Sequence, residues 1–121
     1  MGIDCSALVQ LLFAEQGVLL PRDVRDQWVS TTMVATPHRA LDLLFFGSTR
    51  RRPAHVGLSL GGGYFLHARG RVLVGSLDLA NELCDKALAK QFLGARSVPG
   101  RPAQMSYNGS RPSLTAIPKR L

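Results

Sequence analysis

Four short apolar runs follow one another between residues 41 and 77: LDLLFF, HVGLSL, YFLHAR and VLVGSL, with GSTRRRPA, GGG and GR between them. Each run is too short for a helix. Apolar alternation bounded by glycine, proline and arginine breaks predicts antiparallel strands, with hairpins at GGG and GR. A chain built around such a meander must cover one sheet face with something apolar. The segment CSALVQLLFAEQ, residues 5–16, supplies it: Ala7, Leu8, Leu11 and Leu12 recur at helical spacing, and Val9 and Phe13 widen the stripe. Asp4 is a good N-cap and Gly17 a good stop.

The remaining elements are weaker. Pro21, Arg22 and Asp23 predict a second helix ending near Trp28; residues 29–41 read as loop. A helix is expected from Leu79 to Lys90, holding Cys84 as a small core residue, and a last strand at FLGARSV. Trp28 and the Phe45–Phe46 pair are expected in the core, and His38 in an exposed loop. The fold class is α+β: N-terminal helices packed on a small antiparallel sheet.

Apolar residues make up 45% of the 121 and charged residues 19%, which excludes wholesale disorder and a coiled coil. No apolar window is long enough for a transmembrane helix. MGIDCSALVQ lacks the basic start and cleavage site of a secretory signal. Charge is uneven. Through Asp85, 8 arginines balance 8 acids; from Lys86 onward there are 7 basic residues and no acid. The expected organisation is a domain over 1–98 and a basic, extended tail over 99–121. That tail suits an anionic partner or simple solvation. It lacks the aromatic interleaving of a nucleic-acid reader, so no specific nucleic-acid partner is expected.

Cys5, at the first turn of the leading helix, sits where the helix dipole lowers a thiol pKa. A nucleophilic cysteine needs a base, normally histidine, and a polar group to orient it. With a three-residue loop at Gly61–Gly63, Gly57 faces His67, and His55 and His67 share one sheet face. If the helix packs on that face, Cys5, His55 and His67 converge. The ordinary alternative is a packing cysteine and two structural histidines. No closely spaced ligand pair supports a metal site, and the chemistry needs no cofactor.

GIDCSALVQLLFAEQGVLLPRDVRDQ, then DLLFF, HVGLSLGGGYFLHA, a Val-rich strand and FLGARSV resemble, in order, the NlpC family of cell-wall cysteine peptidases. The resemblance runs from Gly2 to about Val98. It implies a papain-like fold and hydrolysis of peptidoglycan stem peptides, usually at the bond between the D-glutamate side-chain carboxyl and a diamino acid. By position it makes Cys5 the nucleophile, His55 the base and His67 the orienting residue. Asp4 and Ser6 become substrate-contacting residues, helix capping being an equal reading of Asp4. It also implies an envelope or extracellular location, with anionic cell-wall polymers as possible partners of the tail.

The chain departs from the family pattern in three places. Ala7 follows the Cys-Ser pair where the family has glycine. Leu41 occupies a usual glycine position before Asp42 and is expected to disturb a turn. The family's preceding Tyr and Trp-Gly-Gly segment has no counterpart, and neither Tyr64 nor Tyr107 can be given that tyrosine's role. The expectation is an N-terminally incomplete domain, its activity lowered on the order of a hundred- to a thousandfold by loss of an oxyanion donor. The competing reading is a non-catalytic wall-binding or phage-tail component retaining the fold. Arg50–Arg52, just ahead of His55, suit either a solvated loop or contact with acidic polymer.

Overall fold

A computed structural model describes residues 4–35 and 38–100. Helices α1 (Cys5–Ala14) and α2 (Val24–Val29) precede strands β1 (Thr32–Val34), β2 (Leu43–Gly47), β3 (Pro53–Gly61), β4 (Tyr64–Ala68) and β5 (Val72–Ser76); helix α3 (Lys86–Lys90) and strand β6 (Phe92–Ser97) complete the domain. All six strands join one antiparallel sheet in the order β1-β6-β2-β3-β4-β5. The α+β architecture and the four-strand meander are as the sequence predicts. No helix among the described residues is long and apolar enough to cross a membrane.

The alternation of side chains divides the core into two layers. Leu43, Phe45, Val56, Leu58, Leu66 and Ala68 face α1, against Leu8, Val9, Leu12 and Phe13. Burying each larger side chain contributes about 1.5–3 kcal/mol, more than helix propensity supplies. On the other face Leu44, Phe46, Phe65 and Ala95 pack with Leu88 of α3. The Phe45–Phe46 pair is thus fully buried but split between layers. Trp28 is half-buried and meets Phe45 edge-on at 5.2 Å.

Several local expectations are corrected. Part of 29–41 is strand, not loop: β1 pairs with β6 over Thr32↔Ser97 to Val34↔Ala95. The helix expected over 79–90 contracts to its last five residues. Asp78 Oδ1 takes the Ala80 N–H at 2.9 Å and Asn81 Oδ1 the Leu83 N–H at 2.8 Å. Such short-range side-chain bonds favour turns over helix. Asp85 then caps α3 by accepting from Leu88 at 3.1 Å. Cys84 therefore lies outside the helix and is only half-buried. His38 is half-buried beside Phe92 rather than exposed, with ring centroids 5.3 Å apart. Of the expected tail, all beyond Pro99 and Gly100 lies outside the described residues.

Leu41 has φ +76, the left-handed region that disfavours branched carbon frameworks, yet its side chain is buried in the α1 layer. The turn is held by Leu41 N–H donating to the Ser59 carbonyl at 2.9 Å and Ser59 N–H to the Asp42 carbonyl at 2.8 Å.

Candidate active site

The start of α1 is braced from three sides. Asp4 Oδ1 accepts the Ala7 N–H at 2.7 Å, satisfying a first-turn donor. Arg22 grips the same carboxylate with two nitrogens, at 2.6 and 3.2 Å, and donates to Ser6 Oγ at 3.0 Å. Its guanidinium, first, and the Ala7 N–H hold Asp4 below the usual carboxylate range. Gln27, fully buried on α2, donates from Nε2 to the Ser6 carbonyl at 3.1 Å and to the Pro21 carbonyl at 2.8 Å. Arg22 and Gln27 carry no role in the sequence reading. Gln27 stands directly after Arg25 and Asp26 in VRDQWV, so its local pattern does not mark it as buried; its partners, the Ser6 and Pro21 carbonyls, follow from packing.

The two histidines meet on the β3–β4 hairpin. His55 Nε2 and His67 Nδ1 are 2.7 Å apart, with the ring planes at 85°. The expected loop is corrected in detail. Gly61 pairs with Tyr64, leaving a two-residue turn at Gly62 and Gly63, both at positive φ (65 and 86) as a tight hairpin of this hand requires. A bulge between Ser59 and Gly61 restores the frame, so Leu58 still faces Leu66. Continuing that register sets Gly57 opposite His67. A Cβ on Gly57 would lie 2.8 Å from Phe65 Cδ2, 3.2 Å from the Leu66 carbonyl oxygen and 3.4 Å from His67 Cβ, so the missing side chain leaves room for the Phe65 ring that packs beside His67.

Phe46 and Phe65 flank the rings, at centroid distances of 5.8 Å from His55 and 4.9 Å from His67. This enclosure disfavours charge. Burial, then His67 and Arg69, bring the His55 pKa down to about 4. Burial first, then Arg69, also lowers His67, with Asp85 opposing. Arg69 and Asp85 form an exposed ion pair at 3.0 Å beside a cavity of about 140 Å³ that His67 helps line. Both histidines are therefore neutral near pH 7.

Cys5 departs from the expectation. α1 packs on the layer of Val56, Leu58, Leu66 and Ala68, while His55 and His67 point into the layer of Phe46 and Phe65. The helix does not lie on the imidazole face, because the apolar positions alternate with the histidines. The buried thiol lies in the same core layer as Val56, one residue from His55. Among the described residues no hydrogen bond joins Cys5 to His55. Burial pushes the Cys5 thiol up, reinforced by the Asp4 charge; the N–H groups of Val56, Ser6 and Cys5 only partly offset this. The expected lowering by the helix start is thus outweighed by desolvation.

A helix that presents a cysteine at its first turn, packed on an antiparallel sheet bearing two bonded imidazoles, defines a papain-like α+β domain. The chain belongs to the NlpC/P60 family, whose model matches residues 1–96. It is 31% identical over 106 residues to a gamma-DL-glutamyl hydrolase of Bacillus subtilis, covering 84% of this chain and 25% of that protein. It is 43% identical over 65 residues to the bifunctional muramidase/DL-endopeptidase CwlT of the same organism, covering 51% of this chain and 20% of CwlT. A crystal structure of a lipoprotein-like NLP/P60 protein from Staphylococcus aureus superimposes with a TM-score of 0.67 at 32% identity, covering 78% of this chain and 32% of that one. The chain spans a quarter or less of the length of these two curated relatives.

Proposed function

We propose that the domain is a cysteine peptidase that hydrolyses peptide bonds in peptidoglycan stem peptides, of the γ-D-glutamyl-diamino acid endopeptidase type, in the envelope or outside the cell. The observation that carries this is the His55–His67 hydrogen bond, made by the two histidines at the family's positions. The similarity to a gamma-DL-glutamyl hydrolase and a DL-endopeptidase supports the same bond class.

His55 carries its proton on Nε2 and donates it to His67 Nδ1, leaving Nδ1 to serve the thiol. The proton of Cys5 passes to His55 Nδ1 as sulfur attacks the amide carbon. The resulting oxyanion is met by backbone N–H groups at the start of α1, that of Cys5 first. Collapse expels the amine, which takes the proton from His55, and leaves a thioester. Water, giving a proton to His55, attacks this thioester; collapse frees the acid and returns the proton to sulfur. Because burial favours the neutral thiol and the neutral imidazole, proton transfer accompanies attack rather than preceding it. Asp4 and Ser6 contact the stem peptide, with Arg22 fixing their positions.

The test is cleavage of a γ-D-glutamyl-diamino acid peptide and of purified peptidoglycan. Product that disappears in Cys5→Ala and His55→Ala supports the reading; no product from the folded chain rejects it. One observation favours a second reading, a non-catalytic wall-binding domain: the Cys5 thiol is buried and, among the described residues, makes no hydrogen bond to His55. Peptidoglycan pull-down without cleavage would select it.

A further inference from the structure

We infer that the groove between α2 and the loop ahead of β3 is a docking site for a flexible phosphodiester polyanion without bases, of the polyol-phosphate kind. Arg25 of α2 and Arg50, Arg51 and Arg52 of the loop line this open groove of about 770 Å³, with Trp28 beside them. None of its lining residues is acidic. Among the described residues the ion pairs are made by Arg22, Arg39 and Arg69. Among the described residues the four groove arginines make no ion pair; Arg50 donates to the Leu93 carbonyl, at 3.4 Å.

A fifth arginine stands behind them. The Arg96 guanidinium lies 4.4 Å over the Trp28 ring and bonds Thr31 through its hydroxyl, at 3.0 Å, and its carbonyl. Burial first, and then the nearby charge of Arg50, lower its pKa. A surface serving solubility alone intersperses both signs. Here one sign is concentrated, although residues 1–85 contain 8 arginines and 8 acids. Guanidinium forks match phosphate oxygens in pairs, which makes arginine the side chain for such a ligand. Single-stranded nucleic acid fits less well. It needs a succession of aromatic platforms, and the groove offers one indole, already engaged by Arg96.

Trp28 is the only tryptophan, so its fluorescence reports on the groove. The full chain is titrated with short poly(glycerol phosphate), with a single-stranded oligonucleotide of equal phosphate number, and with polyglutamate of equal charge. Saturable quenching, strongest for poly(glycerol phosphate), is expected. The triple variant Arg50→Gln/Arg51→Gln/Arg52→Gln should bind about tenfold or more weakly and lower the salt slope by about 2. Changing Arg101, Arg111, Lys119 and Arg120 to Gln together should leave quenching unaltered. Equal binding of all three polymers, or loss with the second variant and not the first, overturns the proposal. Unchanged circular dichroism of the triple variant separates lost contacts from lost fold. The inference does not rest on the peptidase reading: Cys5→Ala should bind the polymer as the parent does.

Discussion

His55 Nε2 meets His67 Nδ1 at 2.7 Å, on a hairpin where Gly57 leaves its side-chain space to the Phe65 ring that packs beside His67. Under the proposed mechanism His67 acts only through His55. His67→Ala should lower kcat by on the order of a hundredfold with little change in KM, and His67→Asn, whose Oδ1 can accept, should recover part of the loss. Equal activity of His67→Ala and parent would remove His67 from the mechanism.

The pH profile of the thiol follows from its burial. Iodoacetamide should alkylate Cys5 with an inflection above that of free cysteine, since desolvation raises its pKa. The acid limb of kcat/KM should lie near the His55 value of about 4. An alkylation inflection below neutrality would instead reveal a thiolate–imidazolium pair.

Stability should fall in mild acid. His55 has a depressed folded pKa, about 4 against 6.5, so the unfolded chain takes up its proton first as pH falls. The contribution is complete above 6.5 and lost as pH falls to about 4. His67, also lowered, acts in the same direction, whereas Asp4 and Asp85 change only below the ordinary carboxylate value of 3.8. Discounted for partial solvent screening, the loss is ~1–2 kcal/mol, measurable by urea unfolding at neutral pH and at about pH 4. His55→Asn should flatten this dependence; an unchanged slope would assign it elsewhere.

Leu41 sets backbone strain against burial. Leu41→Gly relieves about 1–2 kcal/mol of left-handed strain but removes a buried side chain worth about 2–5 kcal/mol. The balance is a net loss of about 1–3 kcal/mol in urea unfolding. A more stable glycine variant would show that strain dominates.

Much of this domain was readable from the chain because alternation survives in β3 and β4. Val56, Leu58, Leu66 and Ala68 interleave with His55, Gly57 and His67, and that parity places both imidazoles on one face. The same alternation shows which face takes α1: an apolar helix goes to the apolar positions. The expectation of a thiol above the imidazoles overlooked it. Strand β1 left no local signal. Its three residues are mostly exposed and gain their order from pairing with β6, more than sixty positions away. The helix over 79–90 looked continuous because composition does not reveal that Asp78 and Asn81 would bond their own neighbours. The desolvation of Cys5 likewise depends on packing that residue spacing does not encode.

β6 lies between β1 and β2, in the interior of the sheet. Whatever follows Ser97 is consequently tethered to a strand clamped along both margins. Detaching that strand means breaking two ladders, to β1 and to β2, whereas the His55–His67 hairpin is held to the sheet on the far side of β2 by separate pairings.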